Sequence, residues 1–287
     1  MTFEPKGISY GHAIEIANNS SNIRIDSNIF NGVVTTSATT NLCHIFNYSS
    51  SLDTNIIVSN NSMYNASYAI YYYGIGTSSM ETGNVFENNL IKDFYYYGIY
   101  SYYQEGFQLL NNEITTNTNY ASPYGLGLRY NDKTIMSGNT IYVPAYYGVY
   151  FYYCDGDAIS QNEINNNFIS VGGSGTSYPF YSYYSTYSDF YHNTFNSYGS
   201  STGRAMYLYY GNDNDFTNNI FSSYGGGYAI YSTTSSFTSD YNNFYTNGSY
   251  LGYLSGNQAD ITAWQTASSQ DANSVSIYPN YFGMNDL

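Results

Sequence analysis

Charge is scarce in this sequence. Only 9% of its 287 residues are charged, six Lys or Arg against 20 Asp or Glu, giving a formal net charge of −14. Six cations cannot neutralise a phosphate backbone, which disfavours nucleic-acid partners. Cysteine is also rare. Cys43 and Cys154 stand far apart in none of the spacings of metal or redox motifs, and they read as small apolar side chains rather than as a disulfide. No apolar run approaches about 18 residues, so no membrane-spanning helix is expected. Residues 1–7 lack the apolar core of a signal peptide. The chain therefore reads as a segment excised from a longer exported protein. Ala, Leu, Lys and Glu are too few for a helical protein. There is no Gly-x-Ser-x-Gly elbow, no phosphate-binding Gly loop with Lys, and no Gly-rich nonapeptide Ca²⁺ repeat.

What is present is aromatic and periodic. Forty-one residues are Tyr, aromatics make up 20%, and Asn is nearly as common as Tyr, which is not the composition of a disordered chain. An Asn followed two positions later by an apolar residue recurs at Asn28, Asn61, Asn89, Asn112, Asn139, Asn162, Asn193, Asn219 and Asn242, 23 to 33 residues apart. Most have another apolar residue three positions earlier: Ile25, Val58, Phe86, Leu109, Met136, Ile159, Phe190 and Phe216. A second pattern interleaves, a small residue and then apolar alternation, as in Tyr97-Gly98-Ile99-Tyr100-Ser101-Tyr102 and Tyr147-Gly148-Val149-Tyr150-Phe151-Tyr152.

Each repeat holds three short β segments and no helical period. Such a unit cannot bury its apolar side alone, and stacking the units does. The expected fold is all-β: a single three-sheet parallel solenoid of about ten coils, each strand pairing with its copy one repeat later. The Asn column is expected at the bend between the second and third strands, where Asn tolerates the left-handed backbone and stacked amides can bond from coil to coil. Residues 1–256 are assigned to the solenoid. Residues 257–287 form a C-terminal cap in the same domain, with a short helix near Trp264, N-capped by Asp260, and an extended tail.

With its Asn ladder and Tyr-Gly-Ile-Tyr strands, the chain resembles the right-handed parallel β-helices of the pectate-lyase-like superfamily over roughly residues 10 to 256. The tail, residues 270–282, resembles that of large secreted bacterial proteins. The superfamily hosts lyases, hydrolases, tailspikes and adhesins. The resemblance implies a catalytic outer face. A lyase would need clustered carboxylates holding Ca²⁺ and a basic residue, and a hydrolase would need two or three Asp in close register.

Alternation sends successive strand residues to opposite faces. If Ile70, Ile99, Leu126, Val149, Phe180, Met206 and Ile230 point inward, then Tyr71, Tyr100, Gly127, Tyr150, Tyr181, Tyr207 and Tyr231 form one outward column. Tyr73, Tyr102, Arg129, Tyr152, Tyr183 and Tyr209 form a second. These rings can stack on sugars, meet a protein, or simply stabilise the sheet. Arg129 is the one cation in the two columns. Two acidic pairs, Asp155 with Asp157 and Asp213 with Asp215, fall in turns and could hold a cation such as Ca²⁺, although such turns are more often solvated. His12, His44 and His192 lack sequence-level partners.

The function expected from the residues is a non-catalytic binding or adhesion module, extracellular or on a bacterial surface. It would present the tyrosine face to a neutral polysaccharide or a surface protein, since a net-negative chain repels anionic polymers. The alternatives are a polysaccharide lyase or glycoside hydrolase, and a filament spacer that associates end to end.

Overall fold

The computed structural model describes residues 1–48, 50–173 and 175–281. Ser174 of the Gly-rich turn at 172–175, and the tail from Phe282 onward, lie outside the described residues.

One coil shows how the sequence makes the fold. Tyr124–Asp132 is a strand of the tyrosine sheet, Ile135–Ser137 a strand of the second sheet, and Thr140–Val143 a strand of the third. Each pairs in parallel with its counterpart in the next coil: Tyr146–Tyr152, Asn162–Asn165 and Phe168–Val171. The second sheet has nine strands among the described residues. The tyrosine and third sheets are joined because Ser62–Tyr73 and Leu90–Glu105 run round their shared corner without a break. The whole is a β-solenoid of about ten coils.

The core is one continuous column of Ile, Val, Leu, Met and Phe from all three sheets. Ile70, Ile99, Leu126, Val149, Phe180, Met206 and Ile230 are all fully buried in it, so the phase expected for the tyrosine strands holds. The small residue before each of these also points inward. A Cβ on Gly125 would lie 2.4 Å from Ile141 Cγ2 and 2.6 Å from the Gly148 carbonyl oxygen. Two consecutive inward residues turn the corner, and in most coils the first of them is Gly or Ala, with His44 and Pro179 in that place in two others.

The Asn ladder is continuous. From Asn28 through Asn61, Asn89, Asn112, Asn139, Asn167, Asn193 and Asn219 to Asn242, each Nδ2 donates to the next coil's Oδ1 at 2.9–3.2 Å. The same Oδ1 accepts from the preceding Asn's backbone N–H, and the second amide hydrogen goes back one coil, as from Asn139 to the Leu109 carbonyl at 2.8 Å. Every polar atom of these buried amides is thereby satisfied.

Two expectations about this column need correction. Asn162 is not a rung; Asn167 is. Asn162 sits buried at the start of a second-sheet strand, where its Oδ1 accepts from the Thr134 N–H and its Nδ2 donates to the Cys154 carbonyl. Its supposed apolar partner Ile159 is 98% exposed. Nor do the rungs themselves adopt the left-handed backbone. The residue before each rung does: Ser27, Asn60, Asn88, Asn111, Gly138, Asn166, His192, Asn218 and Tyr241 all have positive φ. One residue makes the bend and the next supplies the amide.

The expected short helix follows the last coils. Asp260 accepts from the Ala263 N–H and caps the helix Ile261–Ser268. Trp264 is fully buried against Phe237 and Phe244, and its Nε1 donates to Asp271 Oδ2 at 2.7 Å. Asn242 is the last rung among the described residues, and Ser274 Oγ accepts from its N–H where the next amide would stand. Cys43 and Cys154 are free and buried.

A buried polar chain lines the corner between the tyrosine and second sheets. Asn47 donates to Asp53, the Asp53 N–H to Glu81, Gln104 to Glu81, and Asn84 to Gln104. Burial, with Asp53 nearby, pushes the Glu81 carboxyl up to about 7.

Two stability predictions follow from these contacts. Asn139→Ala leaves the Asn112 N–H and the Leu109 carbonyl without partners inside the wall, and is expected to cost about 3 kcal/mol in urea unfolding. Glu81 has a folded-state pKa above its unfolded value, so folding favours its protonated form. Its ionisation removes stability as pH rises from about 4.5 to about 7. Glu81→Gln is expected to gain on the wild type by about 3 kcal/mol between pH 4 and pH 8, measured as the difference between their unfolding free energies.

Candidate functional site

The two expected columns exist and face outward. Tyr71, Tyr100, Tyr150, Tyr181, Tyr207 and Tyr231 are half-buried, as are Tyr73, Tyr102, Arg129, Tyr152, Tyr183 and Tyr209. What covers them is mostly one another. Tyr71 and Tyr100 stack at 5.1 Å, Tyr181 and Tyr207 at 4.4 Å, and Tyr231 and Tyr253 at 4.3 Å. In the second column Tyr73 and Tyr102 stack at 4.7 Å, and Tyr152, Tyr183 and Tyr209 follow at 5.0 Å intervals.

Two further columns were not expected. Tyr68, Tyr97, Tyr124, Tyr147 and Tyr178 form one, with successive ring centroids 4.3–5.3 Å apart. These residues precede the double inward turn, so strict alternation counted back from Ile99 places Tyr97 inside. The Tyr-Gly and Tyr-Ala doublets were the signal for them. The other column is Tyr103, Tyr130, Tyr153, Tyr184 and Tyr210, spaced 4.8–5.6 Å apart. All five have φ between 48° and 60°. A left-handed backbone costs a non-glycine residue roughly 1–2 kcal/mol, yet five successive coils place a tyrosine there.

Arg129 is not the only cation on this sheet. Arg204 occupies the Tyr68–Tyr178 column, beside Tyr228. Its guanidinium carbon lies 3.8 Å from the Tyr231 ring centroid and 4.1 Å from that of Tyr207. Arg129 lies 5.1 Å from the Tyr150 centroid, 5.3 Å from Tyr152 and 5.9 Å from Tyr100. It leans into the gap that Gly127 leaves in the neighbouring column, where a Cβ would come within 2.5 Å of the Tyr97 ring. Among the described residues neither arginine forms an ion pair with a carboxylate. In both, Nε is buried without a hydrogen-bond partner.

Burial raises the phenol pKa values across the sheet. Tyr100 and Tyr150 are pushed up to about 12 despite the lowering influence of Arg129. Phenols held this far from ionisation are poor general bases near neutrality.

The acidic pairs lie elsewhere and make turns. Asp155 Oδ1 accepts from the Thr186 N–H and Oγ1. Asp157 Oδ1 accepts from the Ile159 and Ser160 N–H groups, and its Oδ2 is 3.4 Å from Lys133 Nζ. Asp213 is exposed with a left-handed backbone. Asp215 accepts from Thr217 and Thr238. A row that the sequence did not single out, Glu163, Asp189 and Asp215, stands in register on the second sheet. Burial, then Asp215 and Glu163, raise the Asp189 carboxyl above its ordinary range. No group of three or more His, Cys, Asp or Glu able to hold a metal ion occurs among the described residues.

Residues 16–200 match the family model described as "Periplasmic copper-binding protein (NosD)". The chain belongs to the NosD family. No curated protein matches it. Among solved structures, this NosD-family chain is similar to the A-module of the mannuronan C-5 epimerase AlgE6 from Azotobacter vinelandii, with TM-score 0.60 and 13% identity, over 94% of this chain and 76% of that one. It is also similar to the Agl-KA catalytic domain, with TM-score 0.50 and 14% identity, over 96% of this chain and 60% of that one. At these identities the likeness is one of fold.

The family's description raises the question of copper, whose usual protein ligands are imidazole, thiolate and thioether. Among the described residues no three imidazole, thiol or carboxylate groups converge. His12 Nε2 and His44 Nε2 meet the carbonyl oxygens of Thr40 and Tyr64, and their Nδ1 atoms are buried without a hydrogen-bond partner. His192 makes a ladder bend. Cys43 and Cys154 are buried in separate coils.

Proposed function

We propose that the tyrosine sheet is the binding face of a non-catalytic module and that its ligand is a linear glycan lying along the solenoid axis. The observation that carries this reading is the column Tyr103, Tyr130, Tyr153, Tyr184 and Tyr210. Asn or Gly would make that bend at lower conformational cost. The rings extend the array sideways rather than filling the core. Four columns with a repeat near the coil spacing of about 4.8 Å offer flat apolar faces with a hydroxyl at the tip, suited to the C–H face and hydroxyls of successive sugars. The same columns stabilise the sheet, and the two roles are compatible.

The family's description as periplasmic supports a place of action outside the cytoplasm. No helix among the described residues is long and apolar enough to cross a membrane. The solved neighbours are an epimerase module and a catalytic domain, but around Arg129 and Arg204 the raised phenols and two guanidiniums offer no general base suited to neutral pH, and the carboxylate and imidazole of this face, Glu15 and His12, lie together in the first coil. That favours binding over turnover.

Glycan-array binding tests the reading. Tyr100→Ala and Tyr150→Ala are each expected to weaken binding roughly three- to tenfold with unchanged circular dichroism. Binding that survives both substitutions, or capture of a protein surface with no glycan response, contradicts it. Release of unsaturated or reducing sugar ends would instead establish a lyase or hydrolase.

A further inference from the structure

We infer that the glycan is acidic and that Arg129 and Arg204 are its two anion subsites. This rests on the glycan-binding reading of the face and goes on to name the ligand's chemistry.

The chain carries 20 carboxylates and six Lys or Arg. In such a chain an arginine is expected to find a carboxylate. Arg24 lies beside Asp26, and Lys92 and Lys133 are paired with Glu113 and Glu105. Arg129 and Arg204 are held among phenol rings instead, with Nε buried and without a hydrogen-bond partner. Glu15, in the first coil, is the carboxylate that falls on a column position, in register with Phe46 and Tyr71. The other acidic residues lie in the turns, on the second sheet and at strand ends such as Glu105 and Asp132, and among the described residues none pairs with Arg129 or Arg204.

The geometry relates the two guanidiniums to one strand of ligand. Both lean toward the column of Tyr100, Tyr150, Tyr181, Tyr207 and Tyr231. The strand of Arg129 pairs with that of Tyr150, which pairs with that of Tyr181, which pairs with that of Arg204. The two cations are thus three coils apart along the axis, about 14 Å, on strand positions either side of the column that holds Tyr150 and Tyr181, toward which both lean. The coil repeat is close to the rise per sugar of an extended pyranose chain. Two sugars stacked on Tyr150 and Tyr181 would carry an acidic group to a guanidinium at each end. Guanidinium forks suit carboxylate and sulfate ester alike. The neutral polymer expected from net charge gives way to this local argument.

The test titrates the full chain with three hexasaccharides: cellohexaose, hexagalacturonate and sulfated cellohexaose. One of the acidic oligomers is expected to bind at least about tenfold more tightly than cellohexaose at low salt. R129Q and R204Q are each expected to lose about tenfold for that oligomer and nothing for cellohexaose. R129K and R204K, which keep the charge and the ring contacts, should lie between. Which acidic oligomer binds separates carboxylate from sulfate. Equal binding of all three, or equal losses for acidic and neutral oligomers in the Gln variants, overturns the anion subsites and leaves the glycan face standing. Binding of none removes both.

Discussion

The hydrogen-bonded column of asparagine amides is the constraint on which the rest of this structure depends. Each interior rung accepts two hydrogen bonds at Oδ1 and donates two from Nδ2, and its backbone N–H donates to the next rung. A coil that slipped by one residue would leave several of these buried groups unpaired, at a cost comparable to a small domain's whole stability. The ladder therefore fixes the register of every coil. Fixed register also fixes which residues alternate inward and outward, because a one-residue slip turns each strand over. The tyrosine face is a consequence of the asparagine wall on the other side of the coil.

Given that register, the face follows from which residues fit inside. The corner admits only small side chains at positions such as Gly98, Gly125 and Gly148, and the large residues flanking them go out. The outward rings then cover each other, so phenols with little protection from the core are nonetheless half-buried. Two guanidiniums fill places in this lattice that a tyrosine could have taken. Charge is placed in the same way: most carboxylates occupy turns, strand ends and the second sheet, while Arg129 and Arg204 stand among the rings of the tyrosine sheet.

Much of the fold was legible because it is periodic. Nine copies of one pattern outweigh any single ambiguous residue, and the inward set from Ile70 to Ile230 could be read directly. The misreadings share a cause: a local exception to a period. Asn162 and Asn167 both precede an apolar residue by two positions, and the longer turn before Asn162 hid which one stacks. Two inward residues in succession break strict alternation, which concealed the Tyr97 column. The Tyr103 column was missed because aromatic residues are uncommon in left-handed backbone. Arg204 was overlooked because it stands where the other coils have Tyr, in that same uncounted column. The acidic pairs illustrate a further limit. Sequence proximity brought Asp155 and Asp157 together, but the structure gives each a separate turn to hold.

Membership of the NosD family and likeness to an epimerase module locate the chain among β-helices without deciding its chemistry, because sites are grafted onto such folds residue by residue. The account stands or falls on the inside–outside phase of the tyrosine strands, and one strand contains its own control. Tyr72 is fully buried in the core, while its neighbours Tyr71 and Tyr73 face solvent. Hydroxyl-radical footprinting of the folded chain, read by peptide mass spectrometry at these three adjacent residues, tests that phase most directly. The account predicts oxidation of Tyr71 and Tyr73 with Tyr72 protected. Oxidation of Tyr72 with protection of its two neighbours would contradict it.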